Sequence, residues 1–370
     1  MMFFLAMDAV AQSSASEYVQ TGISAYDVPA DARSVALAES FVALTGNYNA
    51  LMYNPAGLGA IRGVRFSYLS RKFDWTSFLD DAKYYAVAGT VQTPFVNVGF
   101  IYNRFNLGEV FFSTPENPRG IGKGEVYNYA LGVGLGKRVS DHWDIGIGFK
   151  TFDFGWNKVS GDIPTLTTSR PFLIDAGFIY SNQITAEQQS FVQEYSIGFA
   201  LQNVGGKIKS TTRYISGTTN TSESGLPQYL RFGFTYSLTI PGQNSESLQP
   251  FSMLVSGEYR TFTNGADFQS SQKDFWGLGI ELKAIEIFSA RFSAYINPYS
   301  SVYGKKGIPA LRYGFGVSLP LQRLGSSLPI VVYLDYAGIP PQISNGFGDN
   351  DKIQTMHSFA ASLQYVNELF

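Results

Sequence analysis

The side chains able to do chemistry are few. Among 370 residues there is no cysteine and only two histidines, His142 and His357. Thiolate nucleophiles, disulfides and cysteine-bound zinc are thereby excluded, and a lone histidine in a turn or near a strand end is usually structural or solvated. No Ser–His–Asp or carboxylate constellation can be placed on the sequence, so no enzymatic activity, metal or cofactor is expected. The glycine runs Leu131-Gly132-Val133-Gly134-Leu135-Gly136 and Gly120-Ile121-Gly122-Lys123-Gly124 loosely match phosphate loops. Both lack the strand-to-helix context and the spacing; the first reads more simply as a strand with small residues on one face. What remains is a set of charges at one parity of alternating segments: Lys150, Asp175, Arg231, Glu258, Arg260, Glu281, Arg291, Arg312 and Asp335. They could form a ligand or ion path, or pair with one another and with an internal plug. Pairing is the simpler reading, because an unpaired buried charge is costly.

The elements that must position these charges follow from composition and period. Aromatic residues make up 15% of the chain, with 30 Phe and 23 Tyr; charged residues also make up 15%, and there are 38 Gly. This is strand chemistry. Mean hydropathy is −0.03, and no apolar run approaches the roughly 20 residues of a membrane helix. A net charge of −2 gives no reason to expect nucleic acid. From Val64 onward the pattern has period two: Trp143, Ile145, Ile147 and Phe149 alternate with Asp144, Gly146, Gly148 and Lys150, and Leu230, Phe232, Phe234 and Tyr236 with Arg231, Gly233, Thr235 and Ser237.

Strands are expected at 64–72, 82–93, 96–106, 125–139, 143–155, 170–181, 194–204, 228–239, 249–261, 273–284, 287–297, 309–320, 329–338 and 355–366. These fourteen segments are mostly long enough to cross a bilayer when tilted. Connections after odd-numbered strands are long (73–81, 107–124, 156–169, 205–227, 262–272, 298–308 and 339–354). Those after even-numbered strands are mostly short, such as Pro94-Phe95 and Ile285-Glu286, although 182–193 holds a capping-box pair, Thr185 and Gln188, that suggests a small helix. Alternation of short and long connections is the rhythm of outer-membrane barrels, and an even strand count lets the first strand close onto the last. The expected fold is all-β: a 14-stranded antiparallel transmembrane β-barrel in the bacterial outer membrane, with lipid as its first partner. A soluble β-sandwich fits strand length and loop rhythm poorly.

Ahead of the barrel, residues 2–7 are apolar and Ala9-Val10-Ala11 has small-x-small form, so residues 1–11 read as a signal-peptide remnant, despite Asp8 and the lack of a preceding basic residue. Residues 12–60 do not alternate. The stretch 29–40 is alanine-rich and helix-competent, Gly46 interrupts it, and Asn54-Pro55-Ala56-Gly57-Leu58 follows just before the first strand. That element resembles the hatch motif of FadL-like outer-membrane proteins, in which the N-terminal segment folds into the lumen and plugs it. Residues 12–60 are accordingly expected to be a partly helical hatch and 61–370 the barrel. Asn54 and Pro55 could act as a gate hinge or simply fix a tight turn.

Asp31-Ala32-Arg33 and Ala43-Leu44 upstream of this motif, Leu201-Gln202-Asn203-Val204-Gly205, and Leu226-Pro227-Gln228-Tyr229-Leu230-Arg231-Phe232-Gly233 are similar to stretches of the PorV/PorQ branch of that superfamily. The resemblance implies a role in type IX secretion. Its implied partners are secreted proteins with C-terminal sorting domains and other secretion-system components, met through the long outer loops. The alternative is a FadL-like channel for uptake of hydrophobic small molecules. One departure concerns the end of the chain: Phe370 is out of phase with Phe359, Ala361, Leu363 and Tyr365, which a bulge near Asn367 would correct.

Overall fold

A computed structural model describes residues 29–72, 82–114, 117–184, 191–243, 247–263, 274–296, 301–302, 305–306, 309–340 and 355–366. The expected signal remnant (1–11), the capping-box pair Thr185 and Gln188, and Phe370 with the suggested bulge lie outside the described residues. A short helix, α1 (Ala32–Ala36), and two 3-10 turns (Ala50–Met52 and Pro55–Leu58) precede the strands. These are β1 (Val64–Lys72), β2 (Lys83–Val91), β3 (Asn97–Phe112), β4 (Gly122–Arg138), β5 (Trp143–Gly161), β6 (Thr165–Thr168), β7 (Phe172–Ile184), β8 (Val192–Gly205), β9 (Ile208–Arg213) and β10 (Thr219–Ser224). After them come β11 (Tyr229–Ile240), β12 (Phe251–Phe262), β13 (Asp274–Ala284), β14 (Phe288–Ile296), β15 (Ser301–Val302), β16 (Lys305–Lys306), β17 (Ala310–Pro320), β18 (Ile330–Ile339) and β19 (Met356–Tyr365).

Fourteen of these form one closed antiparallel barrel in the order β1-β2-β3-β4-β5-β7-β8-β11-β12-β13-β14-β17-β18-β19, with β19 pairing back onto β1 from Val64–Tyr365 to Arg71–Ser358. The expected strand number, sense and closure are borne out. Closure is what lets strands cross hydrocarbon, because every ladder group then has a partner. Outward side chains such as Leu131, Val133, Ile145, Ile147, Phe232, Phe234, Leu278, Ile280, Phe315, Phe359 and Leu363 stay exposed all round the wall. An apolar belt of this extent has no place in water; lipid is its solvent.

Aromatic contacts band the belt at both rims. Tyr85, Tyr102, Tyr129 and Tyr127 form a ladder with ring centroids 6.2–6.3 Å apart near the outer end, and Tyr259 and Trp276 lie 4.5 Å apart there. At the periplasmic end, Trp143, Tyr180 and Tyr195 do the same, at 5.1 and 6.3 Å. Such girdles place amphipathic rings at the headgroups.

Three expectations need correction. Half of the connection expected at 107–124 is strand, since β3 runs on to Phe112 and β4 begins at Gly122. Likewise β5 continues to Gly161, and the connections expected as loops at 156–169 and 205–227 contain β6, β9 and β10, which form a separate three-stranded sheet in the order β10-β9-β6. These stretches extend beyond the lipid belt, so neither face need be apolar and the period-two signal fades there. Finally, the helix expected across 29–40 spans only Ala32–Ala36, because Ala38 and Glu39 take left-handed backbone angles (φ 52° and 61°) that end it.

Candidate functional site

The lumen is filled by the hatch. Val35, Leu37, Phe41, Leu51, Tyr53 and Leu58 are buried there, in one apolar cluster with Leu69, Tyr84 and Phe105 of the wall. Burial of side chains of this size is worth about 1.5–3 kcal/mol each. Asp31 caps α1 by accepting from the Ser34 amide at 2.7 Å, and its other oxygen accepts from Asn49 Nδ2 at 2.8 Å. The cap therefore ties the start of the hatch to its middle.

The wall charges meet the hatch in three places. Arg33 lays its guanidinium on Glu281, with Nε and Nη2 donating at 2.9 and 2.8 Å; Glu281 also pairs with Arg291, which reaches Asp335 at 2.6 Å. The left-handed turn after α1 brings Glu39 to Arg312 at 3.0 Å and to Arg260 at 3.8 Å. Burial pushes the Glu39 carboxyl upward, but Arg312 and Arg260 outweigh it and hold it below the usual glutamate value. Third, Glu258 accepts from the backbone amides of Phe41 and Val42, both at 2.9 Å, while Arg231 pairs with its other oxygen and donates to Gln202 at 2.6 Å.

Seven of the nine charges read from the sequence thus belong to this latch. The other two, Lys150 and Asp175, pair with each other at 2.6 Å, and Asp175 also accepts from the Asn203 amide at 2.7 Å where the register of β7 and β8 shifts. The arrangement is one of neutralised pairs rather than a row of one sign.

Asn54-Pro55-Ala56-Gly57-Leu58 lies deep against the wall. Asn54 accepts from the Ala56 amide at 3.0 Å, capping the turn that Pro55 begins, and its Nδ2 donates to Val42 O at 2.7 Å within the hatch and to Phe178 O at 3.1 Å in β7. Wall and motif touch so closely that a Cβ on Gly177 would sit 2.1 Å from Asn54 Oδ1 and one on Gly146 2.2 Å from the Pro55 carbonyl carbon. Ala56 and Gly57 are buried within the same turn, and Asn97 Nδ2 clasps the Leu58 carbonyl at 2.8 Å. Of the two readings of Asn54 and Pro55, this geometry is that of a tight turn tied to the barrel.

Several partners escaped the sequence reading. Arg33 and Glu39 sit in a segment with no alternating parity, so nothing in their spacing shows that they face wall charges; Gln202 and Asn97 are uncharged. Only the lone charges in an otherwise small, apolar stretch could have pointed to Arg33 and Glu39. The histidines lie apart: His142, in the periplasmic turn before β5, sits 3.1 Å from Ser181 O, and His357, at the outer end of β19, 2.8 Å from the Tyr336 hydroxyl.

A closed 14-stranded barrel with an apolar belt, two aromatic girdles and a plug defines the class: an integral β-barrel of the bacterial outer membrane. No family model matches the sequence, and no curated protein matches it. Among solved structures, the chain is similar to the P. putida toluene transporter TodX at 10% identity, over 90% of this chain and 96% of that one, with a TM-score of 0.44. It is also similar to the CymD monoaromatic hydrocarbon channel (9% identity, 89% and 95% coverage, TM-score 0.38) and to the NanC porin (9% identity, 82% and 99% coverage, TM-score 0.31). The class rests on the barrel and its surface, not on these likenesses.

Proposed function

We propose that this chain is a non-enzymatic outer-membrane barrel of the FadL-like, PorV/PorQ kind. In this reading it serves type IX secretion by binding exported proteins and helping deliver them to the cell surface. The observation that favours it is the sheet formed beyond the belt, because a plugged lumen by itself is shared with the FadL-like channel reading. With Arg33, Glu39 and the Phe41 and Val42 amides fixed to Glu281, Arg312, Arg260 and Glu258, the lumen is occupied by a neutralised plug, which suits a barrel that works through its outer surface. That surface is partly preformed: β6, β9 and β10, from two successive outer connections, pair into a sheet beyond the belt.

The test is deletion of the gene in the native host, together with affinity capture of the barrel in detergent. Proteins with C-terminal sorting domains should accumulate in the periplasm of the deletion strain and co-purify with the barrel. Normal surface delivery with impaired uptake of a hydrophobic compound would replace this reading with the channel.

A further inference from the structure

We propose that a pocket at the periplasmic mouth, where the hatch passes into β1 and β1 closes onto β19, binds a phosphate-type oxyanion. The cavity, about 200 Å³, is lined by Ala60 and Ile61 of the hatch exit, Arg62, Arg65 of β1, Thr90 of β2 and Gln364 of β19. One water occupies about 30 Å³ of liquid, so the space suits a polyatomic group.

The lining is built for an anion. The Arg65 guanidinium lies 3.6 Å from the Tyr48 ring centroid and 3.9 Å from that of Tyr333. Both its faces are covered, so only its edges can meet a ligand. Nη2 donates to Ser362 Oγ at 2.9 Å, whereas Nε is buried without a partner among the described residues. Thr90 is 1% exposed and lines the cavity, and its hydroxyl is likewise without a partner.

The contrast with the latch is informative. Arg33, Arg231, Arg260, Arg291 and Arg312 each have a carboxylate partner; among the described residues, no carboxylate pairs with Arg62 or Arg65. Arg62 is exposed and Arg65 half-buried, but the Arg65 Nε is buried with no counter-charge, and a bound oxyanion supplies one. Arg65 of β1, Arg62 just ahead of that strand and the Thr90 hydroxyl of β2 offer donors from three positions, which match a tetrahedral acceptor better than a flat one, and an arginine fork suits phosphate oxygens. The phosphate could belong to a soluble periplasmic ester or to an inner-leaflet phospholipid headgroup at the rim, where Phe66 and Tyr68 of β1 face the lipid side.

The experiment is calorimetric titration of the full-length barrel, in a phosphate-free detergent and chloride buffer, with inorganic phosphate and with short-chain phosphatidylglycerol. Saturable binding of phosphate is expected, weakened about fivefold to tenfold in Thr90→Val and about tenfold or more in Arg65→Lys, which keeps the charge and loses the fork. Retained heat-modifiable migration on gels certifies the fold of each variant, and Thr90→Val keeps the side-chain shape if Arg65→Lys disturbs it. Tighter binding of phosphatidylglycerol than of phosphate assigns the site to lipid; equal or weaker binding assigns it to a soluble ester. Absence of saturable binding by both probes, or binding unchanged in both folded variants, overturns the proposal. The outcome does not depend on the secretion role, which concerns the outer face.

Discussion

Glu281 joins hatch to wall, receiving Arg33 from the hatch and Arg291 from the wall. Removing it leaves two cations facing one another in a confined space, so Glu281→Ala should destabilise the folded barrel by about 3–5 kcal/mol. Arg33→Ala should be milder, because Glu281 keeps Arg291 and Arg291 keeps Asp335. Urea unfolding in detergent, followed by tryptophan fluorescence, distinguishes them; equal losses would contradict the pairing. Glu39 adds a pH dependence. Its carboxyl is held below the usual 4.5 by Arg312 and Arg260 despite burial, so its contribution is fully present above 4.5 and is lost as pH falls through the depressed folded value. The urea midpoint should fall with acidification below 4.5 in the native chain and fall less steeply in Glu39→Gln. At this scale the sequence showed the wall charges through their parity, yet it concealed their hatch partners, because α1 and the turns after it have no parity to read.

At the level of elements, the wall and hatch are fitted through missing side chains. Gly146 on β5 and Gly177 on β7 leave room for Pro55 and Asn54, and any larger residue there must push the motif off the wall. Gly146→Val should leave a heat-modifiable barrel whose hatch is cut by added protease within 29–60 while the native chain resists; equal resistance would mean that the hatch does not depend on this contact. Strand number and most strand bounds were legible because one face of each strand meets lipid and the other the lumen, which forces strict alternation: β1 occupies the expected 64–72, and β13 and β17 begin within one residue of expectation. Where β3, β4 and β5 rise beyond the girdle, no face meets lipid and alternation lapses, although Phe112 stays buried there against Trp156. A glycine bulge at Gly108 (φ 80°), where the β3–β4 register shifts, further disguised the extension as a loop.

For the whole molecule, hydrophobic belt, closed ladder and plug are consistent with one another. The belt requires lipid; lipid requires closure; and a closed barrel of fourteen strands is too wide for its own side chains to fill, so the lumen either conducts or is occupied. Here the hatch occupies it, and nothing in period or composition alone distinguished those two outcomes. The hatch motif did, through its resemblance to plugged barrels. The occupied lumen separates a docking barrel from an open pore, and conductance across a planar lipid bilayer tests it most directly. The native chain should insert without measurable steady ion current, and the paired substitution Arg33→Ala with Glu39→Ala, which frees the hatch from Glu281 and Arg312, should give discrete open events. A native chain that conducts steadily on insertion, to the same extent as that variant, would contradict the latched plug.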